Sequence, residues 1–386
     1  MIERKIAGAI QKLAKKYPVV ALTGPRQSGK STLVKTIFTD YQYVNLENPS
    51  LRDFAESDPQ GFLQKYHSKV IFDEIQNVPL LFSYIQTIVD ERKKMGDFVL
   101  TGSSQFKLRE AIAQSLAGRV CLFNLLPLSI EELKNSNLLA DDFFKVSTQG
   151  FYPAIFDRKI NASDYYSDYM QTYVERDVRS LINLKDLKVF QAFLKMCAAR
   201  VGMVVNFTSI GNDLGVSRET IKTWLNVLEA SYLLFQLPPY YENLNKRLVK
   251  SPKLYFYDVG LLCYLLGVER DHLQSHPSRG AVFENLIINE LQKMKLNHHQ
   301  VADFYFYAEH SGIEIDLIIP HKGKLLTFEM KSSATFHSHF LKNITQWKKN
   351  RSTQHHSAYL IYNGEEQSRG EVKVLPWNSL NQVKLL

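Results

Sequence analysis

The stretch that decides the fold reads YPVVALTGPRQSGKS at residues 17–31. Its first part, residues 17–23, is a short apolar run with several β-branched side chains, which predicts a buried strand. A glycine-rich loop with the pattern G-x-x-x-x-G-K-S follows at residues 24–31, and the apolar positions of residues 32–38 recur at helical spacing. A loop of this pattern between a strand and a helix is typical of a P-loop, which binds the phosphates of a nucleotide.

The chemistry of a P-loop accounts for the residue types found here. Gly24 and Gly29 allow the backbone to curl so that successive N–H groups point at phosphate oxygens, and the helix start adds the positive end of its dipole. Lys30 is expected to reach the β- and γ-phosphates, and the hydroxyl of Ser31 is expected to bind Mg²⁺. The sequence therefore predicts ATP and Mg²⁺ as cofactors. The predicted nucleotide-binding residues are Gly24, Pro25, Arg26, Gln27, Ser28, Gly29, Lys30, Ser31 and Thr32.

A second apolar run, downstream of the loop, ends in two acids, Asp73 and Glu74. An aspartate at the end of such a strand holds Mg²⁺, and the glutamate after it can polarise the water that attacks the γ-phosphate. We therefore expect Asp73 to be a metal ligand together with Ser31. Glu74 is expected to act in catalysis together with Lys30.

A third apolar run, residues 97–101, leads into the small hydroxyl residues Ser103 and Ser104. One of these side chains could lie between the two carboxylates and sense the γ-phosphate; the alternative is a plain turn at the end of a strand. Three such runs separated by helical patterns predict a parallel sheet with helices on both faces. Nucleotide then binds at the carboxyl ends of the strands.

Length and composition limit the remaining choices. A chain of 386 residues is long enough for two or three domains, and its three cysteines lie far apart without the spacing of metal ligands. A net charge of +8 favours an anionic partner. No apolar run approaches the roughly 18 residues that a membrane helix requires. These features predict a cytoplasmic protein with no membrane partner.

The amino-terminal part resembles the AAA-type ATPase domain of a large prokaryotic family. The resemblance covers residues 21–133 and rests on four segments: Gly-Pro-Arg-Gln at 24–27, Asp-Glu-Ile-Gln at 73–76, Leu-Thr-Gly-Ser-Ser at 100–104 and Leu-Ala-Gly-Arg at 116–119. It implies that Arg119 contacts phosphate or acts as an arginine finger on a neighbouring copy; a surface arginine is the alternative. Arg26 could reach phosphate or pack against Asp73.

The middle of the chain carries a helix-turn-helix pattern at residues 206–228, with Gly215 at the turn. Two apolar runs further on, residues 233–237 and 253–257, predict the strands of a wing. A DNA-binding helix would expose residues that contact phosphates and bases, and a helical lid or a protein docking surface is the alternative. The exposed residues expected to contact DNA are Arg218, Lys222, Thr223 and Asn226.

The last third of the chain brings acids and a lysine together. Glu329 and Lys331 are two residues apart on a predicted strand and therefore share a face, and Asp316 lies on the strand expected to pair with it. This layout resembles the PD-(D/E)xK nuclease-like fold. The resemblance maps Glu284, Asp316, Glu329 and Lys331 onto a metal-dependent nuclease site, although Ile315 replaces the usual proline. Many copies of this fold are structural remnants.

The predicted fold class is α/β: a P-loop NTPase (AAA-type) parallel sheet, a helical and winged-helix domain, and a small mixed α/β nuclease-like domain. The predicted boundaries are residues 1–140, 141–260 and 261–386. The leading functional prediction is a Mg²⁺-dependent ATPase that couples its nucleotide state to DNA binding or processing, possible partners being a second copy or another protein. The first alternative is an ATP-switched protein-docking module with an inactive nuclease-like domain. The second is a dormant defence effector that cleaves nucleic acid when triggered.

Overall fold

A computed structural model describes residues 2–103, 105–179, 186–241, 251–309, 312–349 and 356–385. The chain divides into two compact units. The first contains residues 1–128 with the short segments 230–232 and 296–300, and the second contains residues 129–229, 233–295 and 301–386. Within the described part of the chain, no helix is both long enough and apolar enough to cross a membrane.

The first unit is built on a five-stranded parallel sheet, which confirms the predicted parallel sheet. The side chains of Val19, Val20 and Leu22, in a strand with neighbours on both sides, are fully buried, and burying each contributes roughly 1.5–3 kcal/mol. The strand order is β2-β3-β4-β1-β5. The strands are β1 (Val19–Thr23), β2 (Gln42–Asn45), β3 (Val70–Asp73), β4 (Phe98–Gly102) and β5 (Val120–Asn124).

Helices cover both faces of this sheet because alternate strand residues point to opposite faces. Val20 and Leu22 pack in one core with Ile10 and Leu33. The other core is formed by alternate residues of the same strands together with the remaining helices of the unit. The helices are Ala7–Ala14, Lys30–Ile37, Pro49–Ser57, Pro59–Lys65, Leu81–Arg92 and Gln105–Ser115, with a 3₁₀ turn at Ile75–Asn77.

The second unit begins with a mainly helical segment. Ser129 and Glu132 form a capping box, in which each side chain accepts a hydrogen bond from the other's backbone N–H, and this fixes the start of the first helix. The segment ends in a π-helix at Met170–Val178 followed, after undescribed residues, by a helix at Leu187–Ala199. The preceding helices are Ile130–Asn135, Phe143–Gln149, Pro153–Asp157 and Ala162–Tyr169.

Two helices and two strands follow at the positions of the helix-turn-helix pattern. The helix Phe207–Leu214 ends at Gly215, whose left-handed φ of 68° turns the chain toward the helix Arg218–Ala230. Strands β6 (Leu234–Leu237) and β7 (Lys253–Phe256) pair antiparallel. The winged-helix assignment itself stays a prediction.

The carboxyl-terminal part of the second unit is a mixed six-stranded sheet, which confirms a mixed α/β arrangement there; the nuclease-like assignment stays a prediction. The strand order is β12-β13-β11-β10-β9-β8. Strands β10 and β11 are parallel, whereas β9 and β10 are antiparallel and joined by a tight turn. The strands are β8 (Tyr305–Ala308), β9 (Glu314–His321), β10 (Lys324–Lys331), β11 (His356–Tyr362), β12 (Gln367–Arg369) and β13 (Val372–Pro376). The helices of this part are Val259–Leu266, Arg270–Leu273, Arg279–Asn297 and Lys342–Lys349, with 3₁₀ turns at Ser338–Leu341 and Leu380–Gln382.

Candidate functional site

The glycine-rich loop connects the end of β1 to the start of the helix Lys30–Ile37, as the sequence pattern predicts. A Cβ atom on Gly24 would lie 2.1 Å from the carbonyl oxygen of Leu125, so no larger residue fits there without movement of the backbone. Gly29 has a φ of 92° immediately before the helix, in the left-handed region that other residues rarely adopt. These two glycines let the loop close tightly over the helix N-terminus.

Lys30 is buried and its amino group is directed into the curve of the loop. Its Nζ donates hydrogen bonds to the carbonyl oxygens of Gly24, at 3.0 Å, and Pro25, at 2.9 Å. Burial lowers the pKa of Lys30 to about 8, because the charged ammonium loses its hydration. A phosphate group bound in the loop would restore the stability of that positive charge.

Arg4 supports the loop through hydrogen bonds, a role that was not predicted. Its buried guanidinium donates to the carbonyl oxygen of Ser28, at 2.8 Å, and to that of Leu126, at 2.6 Å. The first contact is to the P-loop and the second is to the segment after β5. Arg4 therefore holds the loop against the carboxyl edge of the sheet.

Asp73 accepts hydrogen bonds from three hydroxyl groups that lie on three different elements. The Oγ of Ser31 donates to its Oδ2 at 2.7 Å, and the Tyr43 hydroxyl donates to the same oxygen. The Thr101 hydroxyl donates to Oδ1. The predicted metal ligands Ser31 and Asp73 are thus brought together. Tyr43 belongs to no recognisable motif and was not predicted. Thr101 lies within the segment 100–104 that carries the family resemblance, but no role was expected for its side chain.

Glu74 follows directly, with a left-handed φ of 54°, a conformation that is strained for a residue with a side chain and is often found at functional sites. Its Oε2 accepts from the backbone N–H of Ser103 at 3.3 Å and from the Ser103 hydroxyl at 2.9 Å. The side-chain amide of Gln76 also donates to it. Of the two expected sensor residues, Ser103 forms hydrogen bonds with Glu74, one of the two carboxylates that it was expected to contact. Ser104 lies outside the described residues.

The residues of this site fit Mg²⁺ and ATP. The loop leaves no room for a Cβ at Gly24, and Lys30 points into it. The buried hydroxyl of Ser28 has no hydrogen-bond partner among the residues that the structure describes. Magnesium is usually held by one or two protein oxygens together with the phosphates of the nucleotide, and Ser31 and Asp73 supply such oxygens. Within the described part of the chain, no three His, Cys, Asp or Glu side chains are grouped to hold a metal ion by themselves.

Each of the two predicted arginines lies beside a carboxylate. The Nη2 of Arg26 is 3.5 Å from the Oε1 of Glu47. Arg119 precedes β5 and forms a two-pronged ion pair with Asp90, at 2.5 and 2.8 Å. Because its neighbour Val120 pairs with Val19 at the amino end of β1, Arg119 lies at the sheet edge opposite the loop.

The predicted DNA-binding side chains lie on the helix Arg218–Ala230, where several of them have contacts within the unit. Lys222 donates to Glu219 at 2.9 Å, and the Thr223 hydroxyl donates to the backbone carbonyl of the same residue at 3.0 Å. Asn226 accepts from Gln236 at 3.4 Å. Arg218 is exposed. Lys222, Thr223 and Asn226 therefore already use part of their hydrogen-bonding capacity within the unit, and DNA binding by this helix stays a prediction.

The acids predicted for the carboxyl-terminal site come together, and lysines accompany them. Lys331 Nζ lies 2.9 Å from Glu329 Oε2 and 3.8 Å from Asp316 Oδ2. Glu284 receives a second lysine that the sequence did not indicate: Lys253 Nζ, from β7, lies 3.4 Å from its Oε1. The sequence signal was missing because Lys253 belongs to a different predicted domain.

Lys253 also joins the cluster to a further acid, Glu314, whose Oε1 lies 2.5 Å from its Nζ. The hydroxyl of Tyr255 donates to Glu284. Burial, reinforced by the neighbouring Asp316 carboxylate, raises the pKa of Glu284 to about 7 and that of Glu329 to about 8. The cluster is thus a network of ion pairs in which two lysines lie among four carboxylates.

Comparison with known families divides the chain into three parts. Residues 16–134 match the family model described as AAA domain. Residues 140–272 match Domain of unknown function (DUF8612), and residues 279–380 match Domain of unknown function (DUF4143).

The similar curated proteins span most of the chain. An uncharacterized protein of Mycobacterium tuberculosis is 28% identical over 340 residues, which are 87% of this chain and 75% of the relative. An uncharacterized protein of Haemophilus influenzae is 23% identical over 363 residues, which are 86% of this chain and 87% of the relative. These relatives carry no described activity.

Among solved structures, the Walker-type ATPase PABY2304 of Pyrococcus abyssi matches 69% of this chain and 96% of its own, at 13% identity and a TM-score of 0.44. A likeness of that degree supports no inference about the present chain. The match of residues 16–134 to the AAA domain family, together with the parallel sheet and its P-loop, supports an AAA-type ATPase domain in this part of the chain.

Proposed function

We propose that the chain binds Mg²⁺–ATP at residues 24–31 and hydrolyses its γ-phosphate bond with Glu74 as the general base. One observation carries the proposal: the Ser31 hydroxyl, at the start of the P-loop helix, donates to Asp73 at 2.7 Å. This contact joins the phosphate-binding loop to the acidic end of β3. An anion cradle and a carboxylate for a cation in direct contact are what a nucleotide–metal complex requires.

Each residue of the site has a task in this proposal. Lys30 and the backbone N–H groups of the loop hold the phosphates, while Ser31 and Asp73 hold the cation. Bound Mg²⁺ would neutralise charge that develops on the phosphate oxygens. Glu74 takes the proton of the attacking water, and Ser103 holds the Glu74 carboxylate at the end of β4.

The test separates binding from hydrolysis. In Glu74→Gln the release of phosphate from ATP should fall about 100- to 10,000-fold, since a general base contributes that much, while binding of a fluorescent ATP analogue is kept. Glu91→Gln, a change of the same kind on an exposed helix position, should leave both unchanged. Hydrolysis at the wild-type rate by Glu74→Gln, or no nucleotide binding by the wild-type chain, would contradict the proposal.

Arg119 has a proposed role only toward a second copy of the chain. Its position at the opposite sheet edge keeps it from the phosphates of its own loop, so an arginine finger would act between copies. Mixing Arg119→Ala with Glu74→Gln would then restore hydrolysis, because one copy supplies the intact loop and the other the arginine. Absence of restored activity in an oligomeric sample would rule out this role.

We further propose that the nucleotide state controls what residues 129–386 bind, with DNA as the first candidate. The net charge of +8 and the exposed Arg218 on the helix Arg218–Ala230 support an anionic partner. A protein partner is the second candidate. It is favoured by the ion pairs that Lys253 and Lys331 form with the acids of the carboxyl-terminal cluster.

Binding and cleavage assays distinguish these candidates. Duplex DNA binding that weakens steeply with salt and is reduced in the double variant Arg218→Ala/Lys222→Ala, but not in Lys188→Ala, would support DNA. Nicking by Mg²⁺ or Mn²⁺ that is lost in Asp316→Ala would add nuclease activity. No binding of duplex or single-stranded DNA at low salt would leave the protein-docking candidate.

A further inference from the structure

Asp73 is held by hydroxyl donors from three different elements of the first unit. Its carboxylate accepts hydrogen bonds from Ser31, Tyr43 and Thr101, which come from the P-loop helix, β2 and β4. Ser31 belongs to the P-loop motif, and Thr101 lies on the neighbouring strand β4. Tyr43 is the donor that neither the motif nor the expected sensor strand accounts for.

The sheet register places Tyr43 beside Asp73. Strand β2 lies at the sheet edge next to β3, and Tyr43 is paired with Ile71. Because side chains alternate along a strand, Ile71, Asp73 and Tyr43 all point to the face that the P-loop helix covers. The aromatic ring is fixed there by Lys35 of that helix, whose Nζ lies 3.5 Å from the ring centroid.

The direction of the contact follows from the chemistry of the two groups. At neutral pH the phenol of Tyr43 carries its proton. An ionised carboxylate can only accept, and the tyrosine therefore donates to Asp73 Oδ2. This is the same oxygen that accepts from Ser31 at 2.7 Å. The two donors fix how the carboxylate is rotated.

We propose that Tyr43 is a positioning residue for the nucleotide-bound cation: its hydroxyl orients the Asp73 carboxylate toward the metal held with Ser31. The inference rests on the proposed ATP site and adds a residue to it. A partner that holds a ligating carboxylate typically contributes 10- to 100-fold to metal affinity. Tyr43 itself need not contact either the metal or the nucleotide.

The test measures metal affinity directly. The affinity of Mn²⁺ for the complex of the protein with a non-hydrolysable ATP analogue is measured by electron paramagnetic resonance. Tyr43→Phe should weaken Mn²⁺ binding about 10-fold or more, while binding of the analogue in EDTA stays as in the wild type. Tyr41→Phe is the matched control. The Tyr41 hydroxyl donates to the carbonyl oxygen of Gly96, and both residues lie just before the amino ends of their strands, away from Asp73.

Two results would overturn the inference alone: unchanged Mn²⁺ affinity in Tyr43→Phe, or an equal loss of analogue binding in EDTA, which would place the effect on the loop rather than on the metal. If the wild-type chain and Tyr41→Phe bind no analogue at all, the proposed function fails and this inference fails with it. The failures of the two proposals are thereby distinguishable.

Discussion

Two clusters of carboxylates in the described part of the chain differ in the kind of groups that surround them. Around Asp73, the donors are the neutral hydroxyls of Ser31, Tyr43 and Thr101. Around Glu284, Asp316 and Glu329, the donors include the ammonium groups of Lys253 and Lys331. Each cluster is buried in its own unit and was predicted as a metal site.

The difference concerns which charge each cluster still needs. Neutral hydroxyls orient a carboxylate without cancelling its charge, so Asp73 can still attract a cation from solution. The other cluster already contains the positive charges of Lys253 and Lys331, which offset part of the negative charge of its carboxylates. From this difference we propose that the first cluster binds the divalent metal and that the second is a structural network of ion pairs.

The largest expected effect on ATP affinity comes from replacing Lys30 of the P-loop by alanine, with Lys331 of the other cluster as the comparison. Lys30→Ala should weaken ATP binding about 100-fold, since a hydrogen bond to a charged phosphate contributes roughly 1.5–3 kcal/mol. Lys331→Ala removes a lysine beside carboxylates in the other cluster and should leave ATP affinity unchanged. Equilibrium binding of a fluorescent ATP analogue measures both. Equal losses in the two variants would remove the distinction between the regions.

A second effect tests the support behind the loop. Arg4→Met should lower the free energy of unfolding by about 2 kcal/mol, because the buried carbonyl oxygens of Ser28 and Leu126 lose their donor. Urea denaturation measures this change. Arg119→Met is the matched control: its ion pair with Asp90 is exposed to solvent, so its loss should be clearly smaller. An equal effect of the two changes would show that Arg4 does not brace the loop.

A further expected effect is a pH dependence of nucleotide binding. The free protein loses the proton of Lys30 as the pH rises through about 8, whereas bound phosphate favours the charged form. Binding should therefore take up a proton above this pH, and the dissociation constant of the ATP analogue should rise by up to about tenfold per pH unit. In the other cluster, Asp316 and Glu329 outweigh burial and raise the pKa of Lys331, so that lysine stays charged. Constant affinity between pH 8 and pH 10 would contradict the buried, titrating Lys30.

The amino-terminal fold was largely predictable because its signals are local. Strands β1, β3 and β4 are apolar runs that end in glycine, acids or small hydroxyl residues, and each was expected. Strand β2 escaped prediction because it is short, has polar residues at both ends (Gln42 and Asn45) and lies at the sheet edge. The six-stranded sheet was predicted only up to β10, and β11 to β13 carry no motif that would distinguish them.

In the candidate sites, too, only residues within a local sequence motif could be predicted. The P-loop spacing predicted Lys30 and Ser31, and the strand-ending acids predicted Asp73 and Glu74, because these residues are close in sequence to their motifs. Arg4, Tyr43 and Lys253 reach their partners from distant parts of the chain. Such contacts depend on register and packing, which the sequence alone does not specify.

The most direct test of the central claim is to count the divalent ions that the protein binds. Mn²⁺ is measured by electron paramagnetic resonance with saturating non-hydrolysable ATP analogue, in the wild-type chain, Asp73→Asn and Asp316→Asn. We expect one bound ion in the wild type, its loss in Asp73→Asn and its retention in Asp316→Asn. An ion that persists in Asp73→Asn and disappears in Asp316→Asn would contradict it.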